Sequence, residues 1–222
     1  MASESRSLQI STAPVTMFAH LIVTAVATLL LVWLLAKQEG FAFKSHNKLK
    51  IFDLHPLFMI IGFILIGGEA MMAYKTIPAT KIAQKTVHLL LNLVALLAGI
   101  VGIYAVFKYH HESGIPDLYS LHSWLGIGTI CLFGLQWLLG FLSFVFPGAE
   151  MSRRASFLPW HRFFGPVFFL MAVCTAEAGL VQRLLLLRIF QGQEALIVNF
   201  IGILLILYTV SVGLTVVLPR AH

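Results

Sequence analysis

The sequence predicts an all-α integral membrane protein with six transmembrane helices, and three observations predict it. Of 222 residues, 59 % are hydrophobic and 11 % are charged, against roughly 25 % charged in an ordinary soluble domain. Six apolar runs, at 17–36, 54–74, 87–107, 120–146, 160–182 and 196–218, each reach the ~20 residues that a helix needs to cross ~30 Å of hydrocarbon. None shows the short alternating pattern of a membrane-barrel strand. With a mean hydropathy of +0.91, the chain is excluded from the disordered, coiled-coil, disulfide-scaffold and conventional water-soluble classes.

The first run carries no Lys, Arg, Asp or Glu. It exceeds the apolar core of a signal peptide and no small-x-small cleavage site follows it, so it reads as a helix. The second run carries only Glu69, the fifth carries Arg162 and Glu177, and the third, fourth and sixth are uncharged. The connections at 37–53, 75–86, 108–119, 147–159 and 183–195 are too short for a second domain, so one transmembrane domain is expected over 1–222. Cys131 and Cys174 lie inside apolar runs, where small buried fillers are expected rather than a disulfide or a zinc site.

The net charge is +6. Its cations sit between apolar runs, which suits anionic lipid headgroups better than nucleic acid. Six crossings put both termini on one side. Arg6, Lys75, Lys81, Lys85, Arg153, Arg154, Arg162 and Arg220 fall there, against Lys37, Lys44, Lys48, Lys50, Lys108, Arg183 and Arg188 opposite. Eight cations against seven assign no orientation. Trp33, Trp124 and Trp160 lie near run ends, as an interfacial belt would have them.

Nine histidines are the most informative feature. His46, His110 and His111 fall in connections, and His222 ends the chain. Five lie within runs, where an imidazole in hydrocarbon requires a partner. His55 and His122 open the second and fourth runs, so they share one depth. His88 and His161 open the third and fifth, so they share the opposite depth. About 14 residues separate the layers, or ~20 Å at helical rise. Paired neutral imidazoles from facing helices suit the axial positions of b-type haem. Two stacked haems in the central bundle of helices two to five would form an electron path. Isolated snorkelling does not account for matched layers. Zinc wants more ligands per site, and transporter sites gather near the midplane rather than at helix ends. His20 has no depth-matched histidine and reads as incidental. Gly62, Gly67, Gly68, Gly99, Gly102, Gly126, Gly128, Gly134, Gly140, Gly165 and Gly179 suit either a flat macrocycle or close helix packing.

Residues 52–56, Phe-Asp-Leu-His-Pro, with Met59, Gly62, Gly68 and Ala70-Met71-Met72-Ala73-Tyr74-Lys75, resemble the FN-x-HP-x-x-M-x-x-G and G-x-ALLVYR pattern of the cytochrome b561 family. Tyr119-Ser120-Leu121-His122-Ser123-Trp124-x-Gly126 resembles its YSLHSW-x-G signature without a mismatch, and Phe146-Pro147-Gly148-Ala149 also fits. Asp53 stands in place of Asn. Lys75 stands in place of Arg, without the planar fork that would grip a haem propionate.

The resemblance implies two haem b groups per chain, cytosolic termini and a homodimer in an endomembrane (vacuole or vesicle) or the plasma membrane. His88 and His161 would hold the cytosolic haem, and His55 and His122 the non-cytosolic one. Lys75, Asp117, Tyr119 and Ser120 would contact haem, although the last three also suit a cap on the fourth helix. Electrons would pass from cytosolic ascorbate to monodehydroascorbate or a ferric chelate. Lys81, Lys85 and Arg154, which from spacing alone fit phospholipid headgroups at least as well, would bind the ascorbate anion. His110 and Tyr119 would meet the acceptor. A di-haem subunit of a quinol-linked respiratory complex is the rival, against which this cationic cluster argues. Glu69 and Glu177 could relay protons or snorkel. Asn92, one turn after His88, could bond a haem edge or a neighbouring helix.

Overall fold

The computed structural model describes residues 12–146 and 150–218. The Pro147-Gly148-Ala149 stretch, Arg6, Arg220 and His222 lie outside the described residues. Six long helices are present: α1 Thr12–Lys37, α2 Leu49–Thr76, α3 Lys81–Ser113, α4 Leu121–Phe144, α5 Met151–Leu187 and α6 Gln193–Val217. All are long and apolar enough to cross a bilayer, so the protein is an integral multi-pass membrane protein. No strand occurs among the described residues.

The helices run alternately up and down. α2 packs on α3, α3 on α4, α4 on α5, and α5 returns to α2, which closes a four-helix ring. α6 lies against α5 and α2, and α1 lies against α6. The end holding Thr12 and Leu218 is the terminal end, and the other is the opposite end. Local chemistry sets the helix boundaries. The Thr80 hydroxyl accepts from Ala83 N–H at 3.3 Å and starts α3, and Ser120 does the same for α4 through Ser123. Gly114, at φ 65°, closes α3 in the left-handed conformation that glycine adopts without strain.

The helices exceed the apolar runs. α3 has 33 residues and α5 has 37, or about 50 and 55 Å at helical rise. Both therefore project beyond the hydrocarbon core. Lys81, Lys85, His110 and His111 belong to α3, and Arg153, Arg154 and Arg183 to α5, although the hydropathy of the chain assigns them to connections. Apolar length registers the lipid, whereas backbone hydrogen bonding continues the helix through polar residues. α2 departs from regular geometry where Pro56 lacks a donor, and a wide π-helical stretch follows over Phe58–Leu65.

Three other expectations change. Cys131 and Cys174 are exposed rather than buried, because they stand on the outer faces of α4 and α5. Trp33 is 1 % exposed and donates its indole N–H to Glu194 Oε1 at 2.8 Å, so it is a packing residue, while Trp124 and Trp160 stay on the surface. His20 is partnered: its Nε2 lies 3.0 Å from Glu69 Oε2, joining α1 to α2. The Tyr208 hydroxyl on α6 donates to Leu65 O at 2.8 Å and reaches Glu69 Oε1 at 3.5 Å.

Tyr208 is fully buried, and its ring occupies the space a side chain at Gly68 would need. A Cβ there would stand 2.6 Å from Tyr208 Cε1. Gly68→Leu should therefore cost about 1–3 kcal/mol by overpacking. Thermal unfolding in detergent should show a lowered Tm, with Tyr208→Phe losing only about 1 kcal/mol for its hydrogen bond. An unchanged Tm for Gly68→Leu would show that α2 and α6 are not seated in this way.

Candidate functional site: two histidine pairs

The four-helix ring brings the layered histidines together in two pairs. At the opposite end, His55 of α2 faces His122 of α4 with ring centroids 6.0 Å apart and planes at 89°. At the terminal end, His88 of α3 faces His161 of α5 at 6.2 Å and 73°. Their separation follows from α2. Ala70, whose carbonyl takes His88 Nδ1, comes fifteen residues after His55, about 22 Å along the axis.

Each ring is tied at Nδ1 to a neighbouring helix. His55 Nδ1 donates to Gly102 O at 3.1 Å, His88 Nδ1 to Ala70 O at 2.8 Å, and His122 Nδ1 to Thr175 O at 2.9 Å. The Gln136 amide meets His161 at both Nδ1, 3.1 Å, and the carbonyl, 2.9 Å. Nδ1 donating to a carbonyl leaves Nε2 as the bare ring nitrogen of His55, His88 and His122, whereas at His161 the Gln136 amide N–H donates to Nδ1. Among the described residues no cluster of three or more His, Cys, Asp or Glu could hold a metal ion. Each layer therefore brings two imidazoles together.

Glycines make room beside the rings. A Cβ on Gly179 would stand 2.6 Å from His122 Cε1, and one on Gly140 3.2 Å from His161 Cε1. A cavity of about 450 Å³ surrounds His55 and His122 and reaches Tyr109, His110, Tyr119, Gln182 and Arg183. Its apolar wall includes Met59, Phe63, Ile130 and Ala172.

At the mouth of this cavity, His110 Nδ1 meets Asp117 Oδ1 at 2.9 Å. The Tyr119 hydroxyl accepts from Gln182 Nε2 at 3.1 Å, and the His110 and Tyr119 rings lie 6.0 Å apart. Ser120 serves as the α4 cap. At the terminal end, Lys81, Lys85 and His88 share one face of α3 at i, i+4 and i+7, and Arg154 precedes His161 by seven residues on α5. Lys85 Nζ donates to Phe144 O at 3.3 Å, and the Phe144 ring lies 5.3 Å from His161. Lys75 Nζ bonds Leu218 O at 2.5 Å, on the side toward α6. Asn92 donates to His88 O at 2.7 Å and stands 3.4 Å from His88 Nε2.

Sequence reasoning missed Gln136 and Arg183. Gln136 has one legible signal, a lone amide in an otherwise apolar run. Arg183 is 7 % exposed, and Leu184–Leu187 beyond it continue the apolar pattern that would have marked it as helical.

Residues 54–187 match the family described as eukaryotic cytochrome b561. The chain is 46 % identical over 217 residues to a probable ascorbate-specific transmembrane electron transporter of Oryza sativa subsp. japonica, covering 96 % of this chain and 93 % of the relative. It is 43 % identical over 213 residues to a transmembrane ascorbate ferrireductase of Arabidopsis thaliana, covering 94 % and 89 %. A transmembrane ascorbate-dependent reductase of Sus scrofa is 40 % identical over 200 residues, covering 86 % and 77 %. With its helices, its signatures and these matches in agreement, the chain belongs to the cytochrome b561 family, whose cofactor is haem b.

Proposed function

We propose that this chain is a transmembrane oxidoreductase, one domain with two haem b sites. It carries electrons singly from cytosolic ascorbate to monodehydroascorbate or a ferric chelate on the other side. The observation that carries this reading is the pair of imidazole couples at opposite ends of one helical ring. A metal–imidazole bond of about 2 Å, added to the ring's own radius on each side, would let one iron be held by two imidazoles whose ring centroids stand about 6 Å apart. The observed 6.0 and 6.2 Å fit that requirement, as do the tied Nδ1 atoms and the apolar cavity beside His55 and His122.

In this reading His88 and His161 are the axial ligands on the cytosolic side, where both termini lie, and His55 and His122 those on the non-cytosolic side. Haem held by these histidines would supply one-electron Fe(III)/Fe(II) chemistry. The protein supplies the rest. Lys81, Lys85 and Arg154 concentrate and orient the ascorbate anion at the terminal end. Lys75, Asp117, Tyr119 and Ser120 would contact haem, Asp117 while holding His110 and Ser120 while capping α4. His110, oriented by Asp117, exchanges a proton with the substrate on the far side, and Tyr119 positions it. The names of the rice and Arabidopsis relatives support ascorbate as donor.

The deciding experiment is a visible spectrum of purified protein with a haem-to-protein ratio, before and after ascorbate. Two low-spin haems per chain, reduced promptly by ascorbate, are expected. Absence of haem would overturn the ligand assignment, and two haems inert to ascorbate would overturn the donor. His55→Ala with His122→Ala should remove one haem and leave the other, as should His88→Ala with His161→Ala. Gly179→Leu should displace His122 and lose the same haem as the first pair. Lys81→Ala, Lys85→Ala and Arg154→Ala together should raise the apparent KM for ascorbate about tenfold, as expected for lost electrostatic attraction. Haem content should stay unchanged and the salt dependence should flatten.

A further inference from the structure

A buried ion pair stands beside the His55–His122 cavity, and the electron path described above does not use it. Asp53 is 1 % exposed and Arg183 7 %, and Arg183 Nη2 lies 3.4 Å from Asp53 Oδ1. The Arg183 guanidinium sits 4.5 Å above the Phe52 ring, whose centroid is 6.0 Å from that of His55. Arg183 also lines the cavity itself. The same Nη2 donates to Gln38 Oε1 at 3.1 Å, and Gln38 is held by Glu194.

This pair is poorly built for stability. Arg183 Nε and Asp53 Oδ2 are buried without a hydrogen-bond partner, and 3.4 Å is long for a charge-assisted contact. Desolvating two charges exceeds the return from such geometry unless the remaining polar atoms are satisfied. Fixed charges in a dry wall do, however, impose a strong potential on their surroundings.

We propose that Arg183 and Asp53 set the reduction potential at the His55–His122 site through opposed charges. Arg183 favours the added electron, Asp53 opposes it, and the pair holds the site between those limits. This inference rests on the reading that these two histidines hold haem. A unit charge ~10 Å away at an effective dielectric of ~20 shifts the reduction equilibrium roughly tenfold, equivalent to about 59 mV for one electron.

Reductive titration of the full-length holoprotein, followed by visible absorption and low-spin EPR, separates the two sites. Arg183→Gln should move one component negative, about tenfold in its reduction equilibrium. Asp53→Asn should move the same component positive by a similar factor. Arg183→Lys, which keeps the charge, should hold the wild-type potential, and the other component should stay still throughout. Asp53→Asn is nearly isosteric, so its positive shift decides the matter even if Arg183→Gln fails to fold. Unmoved potentials with haem retained, or shifts of the same sign in the two charge-removing variants, would overturn the inference and leave the pair structural. Failure of the wild-type protein to carry two haems, or of His55→Ala to remove one, would instead overturn the underlying ligand reading.

Discussion

An imidazole within a lipid-spanning bundle must have its polar edge satisfied by protein, and the architecture is organised around that requirement. Helix carbonyls already accept one backbone hydrogen bond, but each retains a second lone pair. His55, His88 and His122 use it on Gly102, Ala70 and Thr175 of a facing helix. Two of these positions are among the smallest residues, which lets a ring approach foreign backbone closely. One hydrogen bond per ring thus fixes helix separation, ring orientation and the free nitrogen together.

The two ends of the bundle treat charge differently. At the terminal end, Lys81, Lys85 and Arg154 ride on helical extensions beyond the apolar runs. At the opposite end, Arg183, Asp53, Gln38, Glu194 and Trp33 form a network joining α1, α2, α5 and α6. One end therefore carries cations beyond the apolar runs, while the other buries an ion pair beside His55 and His122. α1 and α6 lie outside the four-helix ring, yet their ends carry Gln38 and Glu194, which close this network.

Much of the site was legible because membrane topology converts position along the chain into depth. Alternate crossing directions placed His55 with His122 and His88 with His161 before any contact was known. The same logic misjudged His20, whose partner is Glu69 rather than another histidine, because depth matching compares like with like. It misjudged Arg183, because hydropathy ends a segment at the first charge while the helix continues. The outward orientation of Cys131 and Cys174 was equally hidden, since an apolar residue suits both lipid and protein interior.

The sequence alone determined the number of crossings, the two histidine layers and the cations near each. These depend on hydrocarbon thickness and helical rise, which are the same for any chain. Tertiary structure decided which helices adjoin, which carbonyl holds each ring, and that Asp53 meets Arg183 across 130 residues of sequence. Those outcomes depend on helix rotation and tilt, set by side-chain packing such as Tyr208 against Gly68. Within a bilayer, where lipid and protein interior are equally apolar, hydropathy carries no information about which face turns inward.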